Sequence, residues 1–417
     1  MGQLITRRQG LRMGALAAVA GAAAACGKPI TDSPQWREAE KPKGPQMSVS
    51  ITGPAADATN VPTSAEITYQ TEHATSATVT LEDADGKAVD GAMRADGTAW
   101  MPAAQLKYGT KYTVTVNATG EEGKTTSAST TFTTMAKPGN LVRITSNIGD
   151  GNVVGVGMPL VLRFGRSLPK SLRASVQKRL FAESSPAQEG AWHWFSDSEV
   201  HYRPKEFWKA GTKVNFKILT GGVPMGGNWY GRNDVSIEAS IGSAVVMTVD
   251  NKTHLMTVTK DGKFLRTVPV SLGKARTPSS TGTMVVMEKL RKTVFDTMTN
   301  PNPADRYKID IEFAQRLTWS GQYIHAAPWS EDSQGHVNVS HGCVNVSQNN
   351  AAWLFEITKI GDPVTVKGTE EKLQYGNGWT DWSLSWEQYI KGSAIPYEAP
   401  VTAQPTPEPT AKPSSAP

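Results

Sequence analysis

The sequence predicts a mainly β chain: two tandem β-sandwiches, then a mixed-β block with one short helix, then a Trp-rich C-terminal subdomain. Three observations predict it. Short runs alternate apolar and polar residues with period two, as half-buried antiparallel strands do. Turn formers are plentiful, with 38 Gly and 26 Pro among 417 residues, and 38% hydrophobic against 19% charged side chains describes a soluble, turn-rich chain. A set of residues around Pro102 returns 102 positions later, which is the mark of a duplicated unit. A chain of this length also exceeds what one hydrophobic core spans, so several domains are required.

The first block, residues 48–132, carries the strands Ala77-Thr-Val-Thr-Leu81 and Tyr112-Thr-Val-Thr-Val116, with a turn signal at Asp85-Gly86. The second, roughly 140–240, repeats its grammar. Pro102, Leu106, Gly109-Thr110-Lys111, Val114 and Val116 are matched by Pro204, Trp208, Gly211-Thr212-Lys213, Phe216 and Ile218. Leu106 to Tyr112 resembles the strand-entry corner of immunoglobulin-like domains, although Val214 replaces the tyrosine in the second copy; convergent strand grammar is the alternative to duplication. From Ala244 the strand signal is denser, at 245–249, 255–258 and 264–270, and Lys260-Asp261-Gly262-Lys263 reads as a hairpin turn. Ser347, with Asn349 and Asn350, opens a helix across 351–357 that Gly361-Asp362-Pro363 stops before a strand at 364–366. Trp379, Trp382, Trp386 and Tyr389 crowd one segment. The spacing of the last three, four and three, puts them on one helical face, expected to pack on the preceding sheet, with a sugar-stacking platform as the other reading.

Residues 1–25 read as a secretory leader: Arg7, Arg8 and Arg12, then an Ala-rich apolar run that falls short of the about 20 residues a membrane span needs. Thr6-Arg7-Arg8 resembles a twin-arginine export signal. Small residues followed by Cys26-Gly27 resemble a bacterial lipoprotein cleavage site, which implies a lipid on Cys26; an ordinary secretory leader with a chance cysteine is the alternative. Both readings export the protein. Residues 27–46, with four prolines, form an extended spacer, and 396–417 are too poor in apolar residues to fold. The net charge is +5, and removing the three leader arginines leaves 40 basic against 38 acidic side chains. That balance gives nucleic-acid binding no electrostatic support.

The chemistry concentrates in Tyr323-Ile-His325-Ala326-Ala327-Pro328-Trp329 and Ser340-His341-Gly342-Cys343-Val344-Asn345. Of two cysteines in the chain, Cys343 is the one in the folded part. A thiol becomes a strong nucleophile when ionised, and its pKa of about 8.5 falls beside an imidazole. His325 stands at a strand end on the same side as Gly321 and Tyr323, positioned to supply that imidazole. Gly342 lets the backbone bend so that nearby amides face a developing oxyanion. Together these residues make an acyl-transfer kit. An inert buried thiol is disfavoured by the polar, Gly-rich flanks. Zinc held by His325, His336, His341 and Cys343 is a sharper rival, but no His-Glu-x-x-His motif accompanies it. His73, His193, His201 and His254 lie in other strand patterns and read as surface or structural.

His325, eighteen positions before Cys343, together with Ser271-Leu-Gly273, Thr277-Pro278 and Gly282, resembles the catalytic domain of the bacterial L,D-transpeptidases over residues 244–367. The whole layout is similar to the mycobacterial-type lipoprotein members. The resemblance implies a leader at 1–25, a lipidated Cys26 and linker at 26–46, Ig-like domains at 47–136 and 137–242, a catalytic domain at 243–368, a C-terminal subdomain at 369–395 and a disordered Pro-rich tail at 396–417. It further implies Cys343 as nucleophile, His325 as acid and base, and an oxyanion site at His341, Gly342 and Cys343, with the Ala326 carbonyl orienting His325. Tyr307 on a lid, Ser320 and Gly321 on a peptide-pairing strand, Trp329, Ser340 and Asn345 would contact substrate. Lid assignments between Glu288 and Ile309 rest on the weakest match.

The implied reaction is peptidoglycan L,D-transpeptidation, joining the third residues of two stem peptides through a Cys thioester with release of D-alanine. No cofactor or metal is implied. The partners are tetrapeptide stems as donor and acceptor, carbapenem β-lactams as covalent inhibitors, and the membrane through a lipid anchor. The protein would sit on the outer face of the cytoplasmic membrane and reach into the cell wall. An L,D-carboxypeptidase acting on the same stems and a non-catalytic wall-binding lipoprotein are the alternatives.

Overall fold

The computed structural model describes residues 46–94 and 97–399; the leader, Cys26, nearly all of the linker and residues 400–417 of the tail lie outside the described residues. The chain is mainly β, with two β-sandwich modules preceding a mixed-β block. In the first module, Ala58–Val61, Thr125–Thr134, Lys111–Thr119 and Ser76–Asp83 form a four-stranded sheet in that spatial order, faced by the pair Ser48–Gly53 and Thr68–Glu72. Alternate residues Tyr112, Val114 and Val116 are buried with Leu81 and Phe132, so the period-two pattern is a core face. The Tyr112 hydroxyl accepts the Lys107 amide at 2.9 Å, closing the corner seen in the sequence.

The second module stacks two four-stranded sheets: Ile144–Ser146, Leu160–Phe164, Glu199–Pro204 and Gly190–Trp194, and Asn152–Val154, Val235–Ile241, Lys213–Ile218 and Leu180–Ser185. The internal repeat is visible in backbone geometry. Gly109 and Gly211 both take left-handed φ, +59° and +77°, and their amides donate to Met135 O and Ile241 O at 2.9 and 3.0 Å. The helix Lys170–Gln177 was not expected in this block. Its signal is short: Pro169 at the entry and the four-residue step from Leu172 to the buried Val176.

In the third block Lys263–Pro269, Leu255–Lys260, Val245–Asp250, Pro363–Lys367, Ser280–Val285 and Glu371–Lys372 make a six-stranded sheet. The hairpin turn puts Asp261 and Gly262 at φ of 50° and 76°, the two left-handed residues of a type I′ turn. A second sheet orders Glu288–Asp296, Lys308–Arg316, Tyr323–Ala326 and Val344–Val346. Its apolar face and the helix Gln348–Ile357, capped by Ser347 Oγ accepting from the Asn350 amide at 3.3 Å, share one core with the first sheet through Met247, Val249, Ile324, Val344 and Leu354.

The Trp-rich segment departs from expectation. A 3-10 turn at Asp381–Ser383 and a helix at Trp386–Ile390 divide it, so Trp382 lies outside the helix. The face formed by Trp382, Trp386 and Tyr389 packs on the second sandwich, while the turn also meets the preceding sheet as expected, Ser383 Oγ donating to Thr283 O at 3.2 Å. Arg203 of the strand Glu199–Pro204 lies 4.4, 5.3 and 4.3 Å from the rings of Trp382, Trp386 and Tyr389, a desolvated cation among aromatic faces. Beside it the buried His201 bridges Asp381 Oδ1 (2.9 Å) and Glu199 Oε1 (2.8 Å). Burial pulls its pKa down, but the two carboxylates outweigh burial and hold it above the usual range.

The second sandwich also meets the third block along backbone. Gly155 and Gly157 amides donate to Ile360 O and Gly361 O, both at 2.8 Å. A Cβ on Gly155 would strike the backbone of Gly361 and Asp362. Gly155→Ala is therefore expected to cost about 2 kcal/mol or more, read as a lower urea midpoint; an unchanged midpoint would mean the junction yields freely.

Candidate active site

Parallel pairing of Tyr323–Ala326 with Val344–Val346 sets His325 opposite Asn345, and Cys343 immediately precedes the second strand. The loop carrying the thiol is braced from below. Ser340 Oγ donates to Cys343 O at 2.7 Å, and the buried Ser279 Oγ, which accepts the Gly273 amide at 3.0 Å, donates to Gly342 O at 2.8 Å. Gly342 has φ +117°, a conformation side chains oppose. Its amide is spent on Ser340 Oγ at 3.1 Å; among the described residues the His341 and Cys343 amides have no hydrogen-bond partner, leaving them as the donors open to an oxyanion.

His325 is 4% exposed, and its Nδ1 lies 2.8 Å from the Ala326 carbonyl. A carbonyl only accepts, so Nδ1 carries the proton and Nε2 keeps its lone pair. Phe295 and Trp329 hold the ring, with centroids 5.3 and 6.1 Å away. Cys343 is buried, its Sγ 3.7 Å from Gly321 O, and the Tyr323 backbone N–H points at the sulfur. The expected lowering of the thiol's pKa by His325 is not found. Burial pushes Cys343 up to about 12, only partly offset by the Tyr323 amide, and burial also pushes His325 down to about 4. Each group loses hydration and gains no countercharge, so the resting pair is neutral thiol and neutral imidazole.

Cys343, His325, Tyr307, Trp329, Ser340, His341 and Asn345 line one cavity of about 640 Å³. Trp329 is 56% exposed and forms part of its rim. Asn345 lines the cavity; its Nδ2 donates to Ser330 Oγ at 3.2 Å, while its Oδ1 is buried and without a partner. Gly321 and Ala326 act through their carbonyls. Ser320 is a departure: it is outside the cavity lining, its amide donating to Asn377 Oδ1 and its hydroxyl accepting from Asn377 Nδ2, both at 2.9 Å. It fastens the C-terminal subdomain to the site instead. Among the described residues, His325, His336, His341 and Cys343 do not gather into a group that could hold a metal ion. Sequence reasoning did not single out Phe295, Lys308, Ile309 and Ile311, the cavity-lining residues of the hairpin Glu288–Asp296 and Lys308–Arg316. The alternation of Ile309 and Ile311 was the signal available.

Residues 244–366 match the family described as the L,D-transpeptidase catalytic domain, and 58–224 match the bacterial Ig domain. L,D-transpeptidase 2 of Mycobacterium tuberculosis is 34% identical over 354 residues, covering 84% of this chain and 85% of that one. L,D-transpeptidase 5 of the same organism is 32% identical over 391 residues, covering 91% and 83%. A solved L,D-transpeptidase in complex with imipenem aligns at 33% identity over 55% of this chain and all of that one, with a TM-score of 0.47. On its identity to L,D-transpeptidases 2 and 5 over most of both chains, the chain belongs to the L,D-transpeptidase family.

A thiol held near 12 fixes the sign of a pH dependence. Iodoacetamide alkylation of Cys343, followed by peptide mass mapping, should be slow at pH 7 and keep rising about tenfold per pH unit up to pH 10. A rate already at its plateau near pH 7 would reveal a resting thiolate.

Proposed function

We propose that this family member is a peptidoglycan L,D-transpeptidase that works through a thioester on Cys343. The observation that carries the proposal is a thiol and an imidazole lone pair lining one cavity, beside an unpaired amide oxygen. In the first half-reaction, Sγ attacks the carbonyl between the third stem residue and D-alanine while its proton passes to His325 Nε2. The C–N bond breaks, His325 returns the proton to the departing amine, and D-alanine leaves a thioester behind. Because the resting pair is neutral, the proton moves as the C–S bond forms, and the amides of His341 and Cys343 receive the oxyanion's charge. In the second half-reaction a side-chain amine of another stem attacks the thioester, His325 Nε2 takes its proton, and a link between third residues forms with Cys343 restored as a thiol. One amide bond is exchanged for another, so no nucleotide is consumed. Asn345 Oδ1 suits an N–H of the donor stem, and Trp329 and Tyr307 offer walls to an extended peptide. Carbapenems, whose strained carbonyl accepts a thiol, would acylate the same sulfur.

The test uses the reduced protein with disaccharide-tetrapeptide. Third-to-third dimer and free D-alanine are expected, and Cys343→Ala should lower D-alanine release by at least about 10³-fold. D-alanine without dimer would make water the acceptor and the enzyme a carboxypeptidase. Formation of neither product would refute acyl transfer.

The reading extends to location: Cys26, if lipidated after export, would tether the chain to the outer face of the membrane, with the linker and sandwiches as a stalk. The leader's basic start, apolar run and Cys26-Gly27 support it. Cell fractionation should find the chain in the membrane fraction and Cys26→Ser in the soluble one; an unchanged distribution would exclude the anchor.

A further inference from the structure

Outside the acyl-transfer groups, the strongest unexplained feature is a cluster of charges beside the cavity, which reaches the lining through His341. Asp305 is buried to 9% exposure in a loop that joins the two strands of the hairpin. Its Oδ1 meets the Arg276 guanidinium, lies 3.1 Å from His341 Nε2 and 3.8 Å from Lys274 Nζ. Its Oδ2 accepts from Asn302 Nδ2 at 2.8 Å. Lys274 Nζ in turn lies 2.7 Å from His341 Nε2. Lys274 Nζ can only donate, so His341 Nε2 accepts from it and the ring adds no third cation; burial, and then the Lys274 charge, lower the His341 pKa in the same sense. Two permanent cations therefore face one carboxylate. Other charges nearby are otherwise engaged: Lys308 pairs with Asp296 at 3.1 Å and Arg306 Nε donates to Asn300 O at 2.7 Å.

We infer that Lys274 and Arg276 form a carboxylate-binding site beside the cavity, with His341 accepting from Lys274 and holding its ammonium in place, that Asp305 fills the site from within the chain, and that a carboxylate of the donor stem, on D-alanine or on the second residue, displaces Asp305 when substrate enters. The inference rests on the proposed stem-peptide substrate. A planar guanidinium with a neighbouring ammonium is the donor set that carboxylates select, and the pairing is strengthened by partial burial. Asp305 is an internal stand-in of the same chemistry. Its release would be felt in the cavity, because Thr297 Oγ1 donates to Asp305 O at 2.7 Å and accepts the Tyr307 amide at 2.9 Å. Tyr307, which lines the cavity and whose ring lies 5.2 Å from that of His341, is thus tied to the same loop. Binding of the carboxylate would reposition Tyr307 against the donor stem.

The two candidates are the terminal carboxylate on D-alanine and the one on the second residue; a side-chain carboxylate on the third residue is kept free in every donor. Calorimetric binding to the full chain carrying Cys343→Ala separates them, using tetrapeptide stems with both carboxylates free, the terminal one amidated, or the second-residue one amidated. One amidation should weaken binding about tenfold, identifying the carboxylate recognised. Arg276→Gln should erase that difference by weakening only donors that carry that carboxylate, Arg276→Lys should restore part of it, and Asp305→Asn should tighten binding of the free donor several-fold. Equal binding of all three donors, equal weakening of all three by Arg276→Gln, weaker free-donor binding in Asp305→Asn, or no binding at all would overturn the inference. D-alanine release by the unsubstituted protein is scored separately: discrimination in binding without turnover would keep the carboxylate site and reject acyl transfer.

Discussion

The hydrogen bond from His325 Nδ1 to the Ala326 carbonyl is the constraint on which the site depends. It fixes the tautomer, turns the Nε2 lone pair outward and requires nothing of the side chain at 326, so alanine serves there. Burial supplies the second half of the constraint. With His325 pushed down to about 4 and Cys343 up to about 12, neither group holds charge at rest. A neutral thiol reacts slowly with water-borne electrophiles; under the proposed function, it gains nucleophilic character as its proton passes to Nε2 beside a bound carbonyl. In the proposed reaction the cost of ionising sulfur is thus met within the acylation step.

Around that pair the chain braces the site from distant parts of the sequence. The strand bearing His325 is followed by the thiol loop, which Ser279 and Ser340 hold by its carbonyls. The strand's approach is pinned at Ser320 by Asn377, whose subdomain is in turn locked to the second sandwich through Arg203, His201 and Asp381. The second sandwich also reaches the third block directly at Gly155 and Gly157. Beyond any role as a spacer, the second Ig-like module therefore buttresses the catalytic block.

What the sequence disclosed follows from how local each signal is. Cys343 and His325 stand out because reactive residue types are set among glycines and polar neighbours within short motifs. The hairpin at Asp261-Gly262 and the Ser347 cap are equally local, since turn and cap chemistry acts over a few residues. Contacts spanning the fold were not legible. Ser320 reads as peptide-pairing backbone until Asn377, 57 residues on, is seen to take its polar groups. The aromatic run at 382–389 has helical spacing, yet its partner is Arg203, far upstream, and that contact breaks the run into a turn and a helix. The resting state of the thiol was misjudged for the same reason: an adjacent imidazole lowers a thiol's pKa only if it is charged, and burial by the whole fold keeps His325 neutral.

The most direct test of this account is the nitrogen-15 NMR signature of His325, assigned by its loss in His325→Gln. The account requires a neutral ring at pH 7, protonated on Nδ1 with Nε2 bare, and no imidazolium until the pH falls toward about 4. An imidazolium at pH 7, or a proton on Nε2, would contradict it.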